Sequence, residues 1–458
     1  MGVISLLNLK GTCPMSPLVY RMNIVLSRIV QHVPVGTNLG LFHVLWMLLS
    51  GRLLLSSGAV IPGLAALGLA AEAVRRAWAA LAYGQWHTAQ LLEAWEHRIQ
   101  EEQAFHAHQY GGYRPVACDL VGFFRPRLRD CPTKHYSSAA GKALPAIPLG
   151  IAARVGTVGT QRLAVPCLLV RGEPTETSET ALQLRLLQQT NAQLAADEAL
   201  VCDRGFPLRQ LQAAGIQRYV VRAPVNFTAR RATLPPYQGK GRKPVRGALV
   251  RPLPRTYKGR TIAATPPERH ETWQLQIGPT SLTLHAAFWD DLGCTEAQPG
   301  APTFSTVLIH DPRFDEPLLL NTSLPLTGAH LQAFYRDRWP VEGLPLTAKQ
   351  MLGAVRQFVF APESRQRLPA LALVAGAILM YVAATQPALP TGFWDRAPKP
   401  TAGRLRRLLA AVHCGDLEEL PEQLHKKPSP TAHLPKGVLG HRRQRQGKAV
   451  RYDMPLAA

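Results

Sequence analysis

The sequence predicts an α/β protein in which a helical N-terminal region precedes a core of strands and helices. Three observations support this class. Apolar residues recur at helical spacing through residues 18–106, short runs rich in Val, Ile, Leu and Phe follow, and helical segments alternate with the later runs. A β-rich insertion and C-terminal helices complete the predicted architecture. At 458 residues the chain is long enough for roughly two to four domains with ample cores.

Residues 1–110 are predicted to form a helical domain. Within it, two short helices are expected in residues 56–83, joined near Gly68, with Arg75 and Arg76 exposed. This arrangement would suit a DNA-binding helix-turn-helix, and a structural helical bundle explains the pattern equally well. The neighbouring His106 and His108 lack the spacing of a metal site and are expected to be ordinary surface residues.

Residues 111–224 have the pattern of an α/β sheet. The strands PVACDLVGFF, IPLGIAARVGTV and RLAVPCLLVRG are followed by the helix ETALQLRLLQQTNAQLA, the strand EALVCD, the helix PLRQLQAAG and the strand IQRYVVRA. Three strands, a helix, a strand, a helix and a strand form the order of an RNase H-like fold. In that fold the first strand and the end of the fourth strand carry catalytic acids.

Asp119 and Asp203 stand at these two positions. Asp119 lies inside an otherwise apolar strand, where burial of an unpaired carboxylate is costly unless a cation or a hydrogen-bond donor compensates it. Asp203 begins the run DRGF directly after an apolar strand; taken alone, an Asp in this place is more often a turn former.

The stretch FYRDRWPVEGLPLTAKQ combines one carboxylate with three groups that bind phosphate. Tyr335, Arg338, Glu342 and Lys349 have the spacing Tyr-x2-Arg-x3-Glu-x6-Lys, and the last three recur close to one face of a helix. Arginine binds phosphate oxygens as a fork, lysine supplies a point charge and tyrosine donates one hydrogen bond. A solvated amphipathic helix explains any single pair, whereas the whole set indicates phosphodiester chemistry.

These motifs resemble those of insertion-sequence transposases of the DDE superfamily, in the branch headed by the IS-four family. The Tyr-Arg-Glu-Lys residues match the family's spacing, VCDRGF resembles its second-acid motif, and the resemblance extends over residues 113–385. One departure is that Pro340 and Pro345 flank the glutamate, so the helix is expected to begin near Pro340 and the orientation of Lys349 stays open.

The resemblance implies the activity, the cofactor and the partners. Asp119, Asp203 and Glu342 would be the catalytic acids and the ligands of two Mg²⁺ ions, replaceable by Mn²⁺, with Asp119 bridging both ions. The implied enzyme nicks transposon-end DNA and joins the freed 3′-hydroxyls to target double-stranded DNA, as a homodimer in a synaptic complex. Tyr335, Arg338 and Lys349 would bind the DNA. The alternative is a catalytically inactive RNase H-like DNA-binding protein derived from a transposase.

The long interval between Asp203 and Glu342 predicts a basic, β-rich insertion over residues 225–325. Residues 225–267 contain no acid, and their glycine-rich motif YQGKGRKPVRG carries Lys240, Arg242 and Lys243. These side chains are predicted to contact DNA phosphates, with a solvated loop as the alternative. Alternating polar and apolar residues in ETWQLQIG, TSLTLHAAFW and FSTVLIHD predict strands.

The insertion also contains two tryptophans. Several of the resembling transposases release their element through a DNA hairpin, and an aromatic ring can stack on a base extruded from such a bend. Trp273, which follows the polar run PPERHET, is expected to be more exposed than Trp289 and is the candidate for this contact. Packing in a core is the alternative for both rings.

Residues 326–390 are predicted to complete the RNase H-like core with the Glu342 helix, and residues 391–458 to form a helical and basic tail. After Lys349, helices are expected in MLGAVRQFVF, LALVAGAILMYVAA and GRLRRLLAAVH. The apolar stretches 39–55 and 368–384 are expected to be buried core helices. The first is interrupted by His43 and Arg52, and the second is at the short limit for a bilayer span.

The composition favours a polyanionic partner. Lys and Arg total 52 against 30 for Asp and Glu, a net charge of +22 that suits nucleic acid, with an anionic membrane as the competing partner. The 7 cysteines are scattered without a Cys-x2-Cys pair, which argues against a disulfide framework or a zinc site. No signal-peptide pattern is present. A cytoplasmic, nucleoid-associated protein of a prokaryote is expected.

Overall fold

The computed structural model describes residues 17–412 and Leu424, apart from 130, 132, 174–177, 240, 242, 297–299 and 391. These residues form a mixed α/β structure built on one large open sheet, with helices packed on both faces. The predicted α/β class is confirmed.

The helices are α1 (Pro17–Val30), α2 (Asn38–Leu49), α3 (Arg52–Leu55), α4 (Val60–Ala65), α5 (Ala71–Tyr83), α6 (Thr88–Glu102), α7 (Glu179–Gln193), α8 (Leu208–Ala213), α9 (Gly328–Arg336), α10 (Trp339–Leu346), α11 (Pro362–Ala384) and α12 (Ala402–Ala410), with a π-helical turn at Thr347–Met351. The strands are β1 (Phe105–Ala107), β2 (Arg114–Phe124), β3 (Lys134–Ser137), β4 (Lys142–Val158), β5 (Gln161–Arg171), β6 (Glu198–Cys202), β7 (Tyr219–Arg222), β8 (Ala229–Arg231), β9 (Leu249–Val250), β10 (Arg255–Tyr257), β11 (Arg260–Ile262), β12 (Arg269–Ile277), β13 (Thr280–Gly293), β14 (Phe304–His310) and β15 (Leu318–Thr322).

The centre of the sheet has the order β5-β4-β2-β6-β7. Strand β4 is antiparallel to both β2 and β5, whereas β6 is parallel to both β2 and β7. Helices α7 and α8 supply the connections that parallel neighbours require. The strands and helices predicted between residues 111 and 224 are therefore all present, in the predicted order.

The predicted insertion is rich in strands, but it continues the main sheet. Strand β15 pairs with β7, and β14 and β13 follow outward from β15. The predicted boundary at residue 325 therefore places β15 in the insertion although it is a direct neighbour of the core. Without this pairing β7 would be an edge strand with unpaired backbone groups, which gives a physical reason for the continuation.

The N-terminal helices pack around α11, which is the centre of the helical layer. Helix α11 contacts α2, α5 and α6 on one side and β4 and β5 on the other. By length and composition it is the one helix of the described segments that could cross a membrane, and 89% of its apolar window is buried inside the protein. Helix α2 is also almost entirely buried. The prediction of a buried core helix is confirmed for 368–384, whereas the stretch 39–55 is divided into the buried α2 and the short α3, where Leu55 is exposed.

The predicted helix over MLGAVRQFVF is wrong. Its first residue, Met351, ends the π-helical turn, and residues 352–361 are irregular. Gly353 has a left-handed backbone with φ of +86°, and a Cβ atom there would lie 2.5 Å from the backbone of Leu54. The predicted helix is therefore interrupted at Gly353, because the left-handed backbone and the close contact with Leu54 can be accommodated only by glycine.

A buried ion-pair network joins α6 to the sheet. The Glu198 carboxylate on β6 is almost fully buried and accepts a hydrogen bond of 2.6 Å from Nε of Arg154 on β4. Arg154 also pairs with Glu96 on α6. Removing one partner of a buried pair leaves an uncompensated charge, which costs more than the intact pair contributes.

Replacement of Arg154 by Ala should lower the free energy of unfolding by about 3–5 kcal/mol, since among the described residues Glu198 keeps only the more distant Arg114 as a cationic partner. Urea unfolding measures this change. The control is Arg209→Ala, because Arg209 pairs with Glu296 at the surface, where both side chains are exposed. It should cost less than about 1 kcal/mol. Equal losses of unfolding free energy in the two variants would show that burial of Glu198 does not increase the contribution of its ion pair.

Candidate active site

Asp119 and Asp203 are brought together by the parallel pairing of β2 and β6. Cys118 is opposite Cys202 in the register, and each aspartate is the next residue along its chain. Parallel neighbours lie about 4.8 Å apart. Both cysteines belong to the apolar cluster that contains α7 and α8, so alternation directs the aspartates to the opposite face, where α9 and α10 contact the sheet.

Tyr335 and Arg338 bind two of the three predicted acids. The Tyr335 hydroxyl donates a hydrogen bond of 3.1 Å to Oδ1 of Asp203. Burial, together with the negative charge of Asp203, raises the pKa of Tyr335 to about 12. The Arg338 guanidinium, only 4% exposed, donates a hydrogen bond of 2.5 Å to Oε1 of Glu342. Asp203, from a distant segment, and Glu342, from the motif itself, are therefore each held by a residue of this motif.

Asp119 lies in the most confined position of the three acids. It accepts a hydrogen bond of 2.9 Å from the backbone N–H of Leu120. Burial raises the pKa of Asp119 to about 6, the Leu120 hydrogen bond and the charge of Arg338 oppose this rise, and the charges of Glu342 and Asp203 add to it. The charges of Arg338, Glu342 and Asp203 therefore act on Asp119 from the same side of the sheet.

Lys349 reaches the same site from the π-helical turn. Its Nζ atom lies 5.3 Å from the ring centroid of Phe123 and 5.8 Å from that of Phe124, at the end of β2. Burial lowers the pKa of Lys349, and the charge of Asp119 opposes this. The orientation that the sequence left open therefore directs Lys349 to the end of β2, five residues beyond Asp119 at most.

The backbone around Glu342 explains this geometry. Helix α10 begins at Trp339, with Pro340 in its first turn, close to the start that the prolines predicted. Pro345 lies at its end and is followed by the π-helical turn. The signature residues consequently lie on α9, α10 and this turn, and the single helical face predicted for Arg338, Glu342 and Lys349 is interrupted.

The acids offer hard oxygen ligands of the kind that Mg²⁺ and Mn²⁺ prefer. The described segments nevertheless contain no group of three His, Cys, Asp or Glu side chains arranged closely enough to hold a metal ion. The Glu342 carboxylate is bound by Arg338 instead. The donor chemistry fits the predicted ions, and binding requires Glu342 to exchange its guanidinium partner for the ion.

The predicted DNA contacts of the insertion are described only in part. Lys240 and Arg242 lie outside the described residues. Lys243 is exposed, with its Nζ atom 5.9 Å from the ring centroid of Tyr237. A similar pair is formed by Lys258 and Tyr257. Exposed cations beside exposed aromatic rings are a surface on which nucleic-acid phosphates and bases can both bind.

The two tryptophans follow the predicted order of exposure. Trp289 is buried, and its Nε1 atom donates to the carbonyl oxygen of Thr265. Trp273 is partly buried, and its ring lies against Gly328 at the start of α9. This packing favours the core role for Trp273, and its contact with DNA stays a prediction.

The candidate helix-turn-helix is also present as two helices, α4 and α5. Arg76 on α5 donates a hydrogen bond of 2.7 Å to Glu72 on the same helix. Helix α5 packs against α2, α4 and α11. Both alternatives drawn from the sequence remain compatible with this arrangement.

Sequence reasoning missed a polar cluster next to the signature. His108, expected at the surface, is largely buried, with Nδ1 lying 2.7 Å from Oδ2 of Asp337. The hydroxyl of Tyr110 donates to the same oxygen. Asp337 is separated from His108 by 229 positions along the chain, so no local pattern linked the two. The only sequence signal was the place of Asp337 between Tyr335 and Arg338.

Comparison with known proteins adds no family to these observations. No model of a known protein family matches the chain, and no curated protein matches it significantly. Its function is therefore inferred from the chemistry of the site.

Replacement of Asp119 by Asn should stabilise the fold near neutral pH. Because the pKa of Asp119 is raised from 3.8 to about 6, the folded chain holds this proton more tightly than the unfolded chain. The carboxylate therefore destabilises the fold increasingly as the pH rises between these values, and fully above them. We expect Asp119→Asn to gain about 1–3 kcal/mol at pH 7 in metal-free buffer, and less as the pH falls towards about 4.

Urea unfolding between about pH 4.5 and pH 8 measures the gain. Asp197→Asn is the control, because Arg114 holds the pKa of this exposed carboxyl below its usual range. Loss of the Asp197 charge should slightly destabilise the protein over the same pH range. No gain for Asp119→Asn at pH 7 would show that its carboxylate is already compensated.

Proposed function

We propose that this protein is a metal-dependent DNA transposase of the DDE superfamily, which cuts the ends of an insertion sequence and joins their 3′-hydroxyls to target DNA. The observation that carries the proposal is the convergence of Asp119, Asp203 and Glu342 on one face of the sheet. These acids come from three distant segments, and three phosphate-binding side chains surround them.

The sheet order supports an RNase H-like core. The first and fourth strands of the proposed core are β2 and β6, and they are adjacent and parallel. An acid within the first strand and an acid at the end of the fourth strand therefore become neighbours, as a nuclease of this fold requires. Glu342 approaches from α10, which contacts β2, β4 and β5.

Each side chain then has a defined role. Asp119, Asp203 and Glu342 would hold two Mg²⁺ ions, which supply an activated water or 3′-hydroxyl and stabilise the departing 3′-oxygen. Tyr335, Arg338 and Lys349 bind the phosphate beside the cut and orient the DNA strand. A guanidinium binds phosphate in a bidentate manner, so an incoming DNA strand can draw Arg338 away from Glu342.

This exchange links DNA binding to assembly of the site. With Arg338 on a phosphate, the Glu342 carboxylate, which is 43% exposed, is free to turn towards Asp119. The protein would then bind metal ions more weakly without DNA than with DNA bound. The partners are transposon-end and target double-stranded DNA, and a homodimer is expected because two ends must be joined together.

A second candidate function is a catalytically inactive DNA-binding protein with the same fold. The specific observation in its favour is the Arg338–Glu342 ion pair, which occupies one of the three acids. A charge excess of +22 suits DNA binding under either proposal. The two functions differ in whether the DNA is cut.

Alanine at Asp119, Asp203 or Glu342 should abolish Mg²⁺-dependent nicking of end DNA, because each change removes an oxygen ligand of the ions. DNA affinity in a gel shift should change little. The matched control is Asp197→Ala, which removes an exposed acid paired with Arg114. Nicking that persists in one of the three variants would remove that residue from the metal site. Absence of nicking in the unaltered protein, with DNA binding intact, would favour the inactive alternative.

Joint replacement of Lys240, Arg242 and Lys243 by Gln should reduce the salt dependence of DNA binding. Each phosphate contact releases counterions and contributes a slope of about −0.9 on a plot of log affinity against log salt. Binding isotherms at several salt concentrations measure the slope. Glutamine in place of Lys142, an exposed lysine on β4, is the control. An unchanged slope in the triple variant would mean that this motif is a solvated loop.

A further inference from the structure

A buried carboxylate lies at the junction between α9 and α10. Asp337 is fully buried, with 0% of its side chain exposed. Nδ1 of His108 lies 2.7 Å from its Oδ2 atom, and the Tyr110 hydroxyl donates to the same oxygen over 2.9 Å. Nη1 of Arg162 lies 3.3 Å from its Oδ1 atom. Two hydrogen bonds, both to Oδ2, and one ion pair therefore hold this carboxylate.

The partners of Asp337 belong to the edge of the sheet. His108 and Tyr110 directly follow β1, and Arg162 is on β5. The backbone N–H of His108 donates to the carbonyl oxygen of Val155 on β4. The junction of two helices is therefore attached to three strands.

The imidazole of His108 is held at both nitrogens. Its Nε2 atom lies 2.5 Å from Oγ1 of Thr157 on β4, while Nδ1 faces Asp337. A neutral ring satisfies both contacts when Nδ1–H donates to the carboxylate and Nε2 accepts from the threonine hydroxyl. The ring then has a single orientation, and so does the carboxylate that it binds.

We propose that Asp337, oriented by His108, is a positioning residue for the active site. It stands between Tyr335, which reaches Asp203, and Arg338, which binds Glu342. Because Asp337 holds the junction between α9 and α10 against the sheet, it also sets how far Tyr335 lies from Asp203 and Arg338 from Glu342. This inference rests on the proposed function, since the reaction it serves is the cleavage of DNA.

The charge of Asp337 is better suited to fixing geometry than to adding stability. Burying a carboxylate carries a desolvation cost that its partners only offset, so an apolar cluster at this place would hold the two helices as firmly. An apolar cluster, however, would not specify the direction of the chain at the junction. Displacement of a catalytic group by about 1 Å is enough to slow a reaction about 100-fold.

The test compares Asp337→Asn with Asp311→Asn. Asp311 is also a buried carboxylate that anchors α9, because it accepts a hydrogen bond from Gln332, but it lies away from the junction. Asp337→Asn should slow nicking at saturating end DNA by about 100-fold while DNA affinity changes little, and Asp311→Asn should slow it far less. Amide hydrogen exchange over residues 328–346 should rise more in Asp337→Asn than in Asp311→Asn, because only Asp337 is bound at the junction with α10.

A second pair of variants addresses His108. Asn can present an N–H group in place of Nδ1, so His108→Asn should retain most of the nicking rate, whereas His108→Ala should lose it. Equal loss in Asp337→Asn and Asp311→Asn, in step with their melting temperatures, would overturn the positioning role. Unchanged exchange over residues 328–346 would overturn it as well.

The exchange measurement keeps the two proposals apart. It needs no activity, so it reports whether Asp337 orders the junction even if the unaltered protein does not cut DNA. Absence of nicking in the unaltered protein would reject the enzyme proposal. A junction that stays ordered in Asp337→Asn rejects the positioning proposal, whatever the activity.

Discussion

The parallel pairing of β2 with β6 is the constraint on which the site depends. It places Cys118 opposite Cys202 and thereby brings Asp119 beside Asp203, from segments far apart in the chain. Side chains alternate between the two faces of a sheet, so a slip of one residue in this register would send one aspartate to the opposite face. Apolar packing on both faces, with α7 and α8 on one and α9 and α10 on the other, prevents such a slip.

Gathering three carboxylates in a partly buried place requires positive charge nearby. Arg338 supplies it by its contact with Glu342, and Lys349 supplies more from the end of β2. The same guanidinium that compensates the acids also occupies one of them, Glu342. Under the proposed function, a bound DNA phosphate would draw Arg338 away and free this carboxylate for a metal ion.

Local pattern was sufficient for the elements that carry their own signal. Strands β2, β4, β5, β6 and β7 alternate or run apolar between turn residues, and they were predicted together with the helices α7 and α8, whereas the short strand β3 was not predicted. The stretch 352–361 failed because its helix-like composition is overruled by a close approach between Gly353 and Leu54. The continuation of the sheet from β7 into β15 is a long-range pairing, which periodicity does not report.

The sequence by itself determined the candidate residues for the proposed chemistry: two acids at the places that the strand order predicts, and a glutamate among three side chains able to bind phosphate, at fixed spacing. Only the tertiary structure decided how they meet. The pairing of Arg338 with Glu342, the direction of Lys349 and the bond between His108 and Asp337 depend on contacts across the sheet. The spacing of residues within one segment shows which side chains can share a face of a helix or strand. The distance between segments remote in the chain depends on how the sheet and the helices pack.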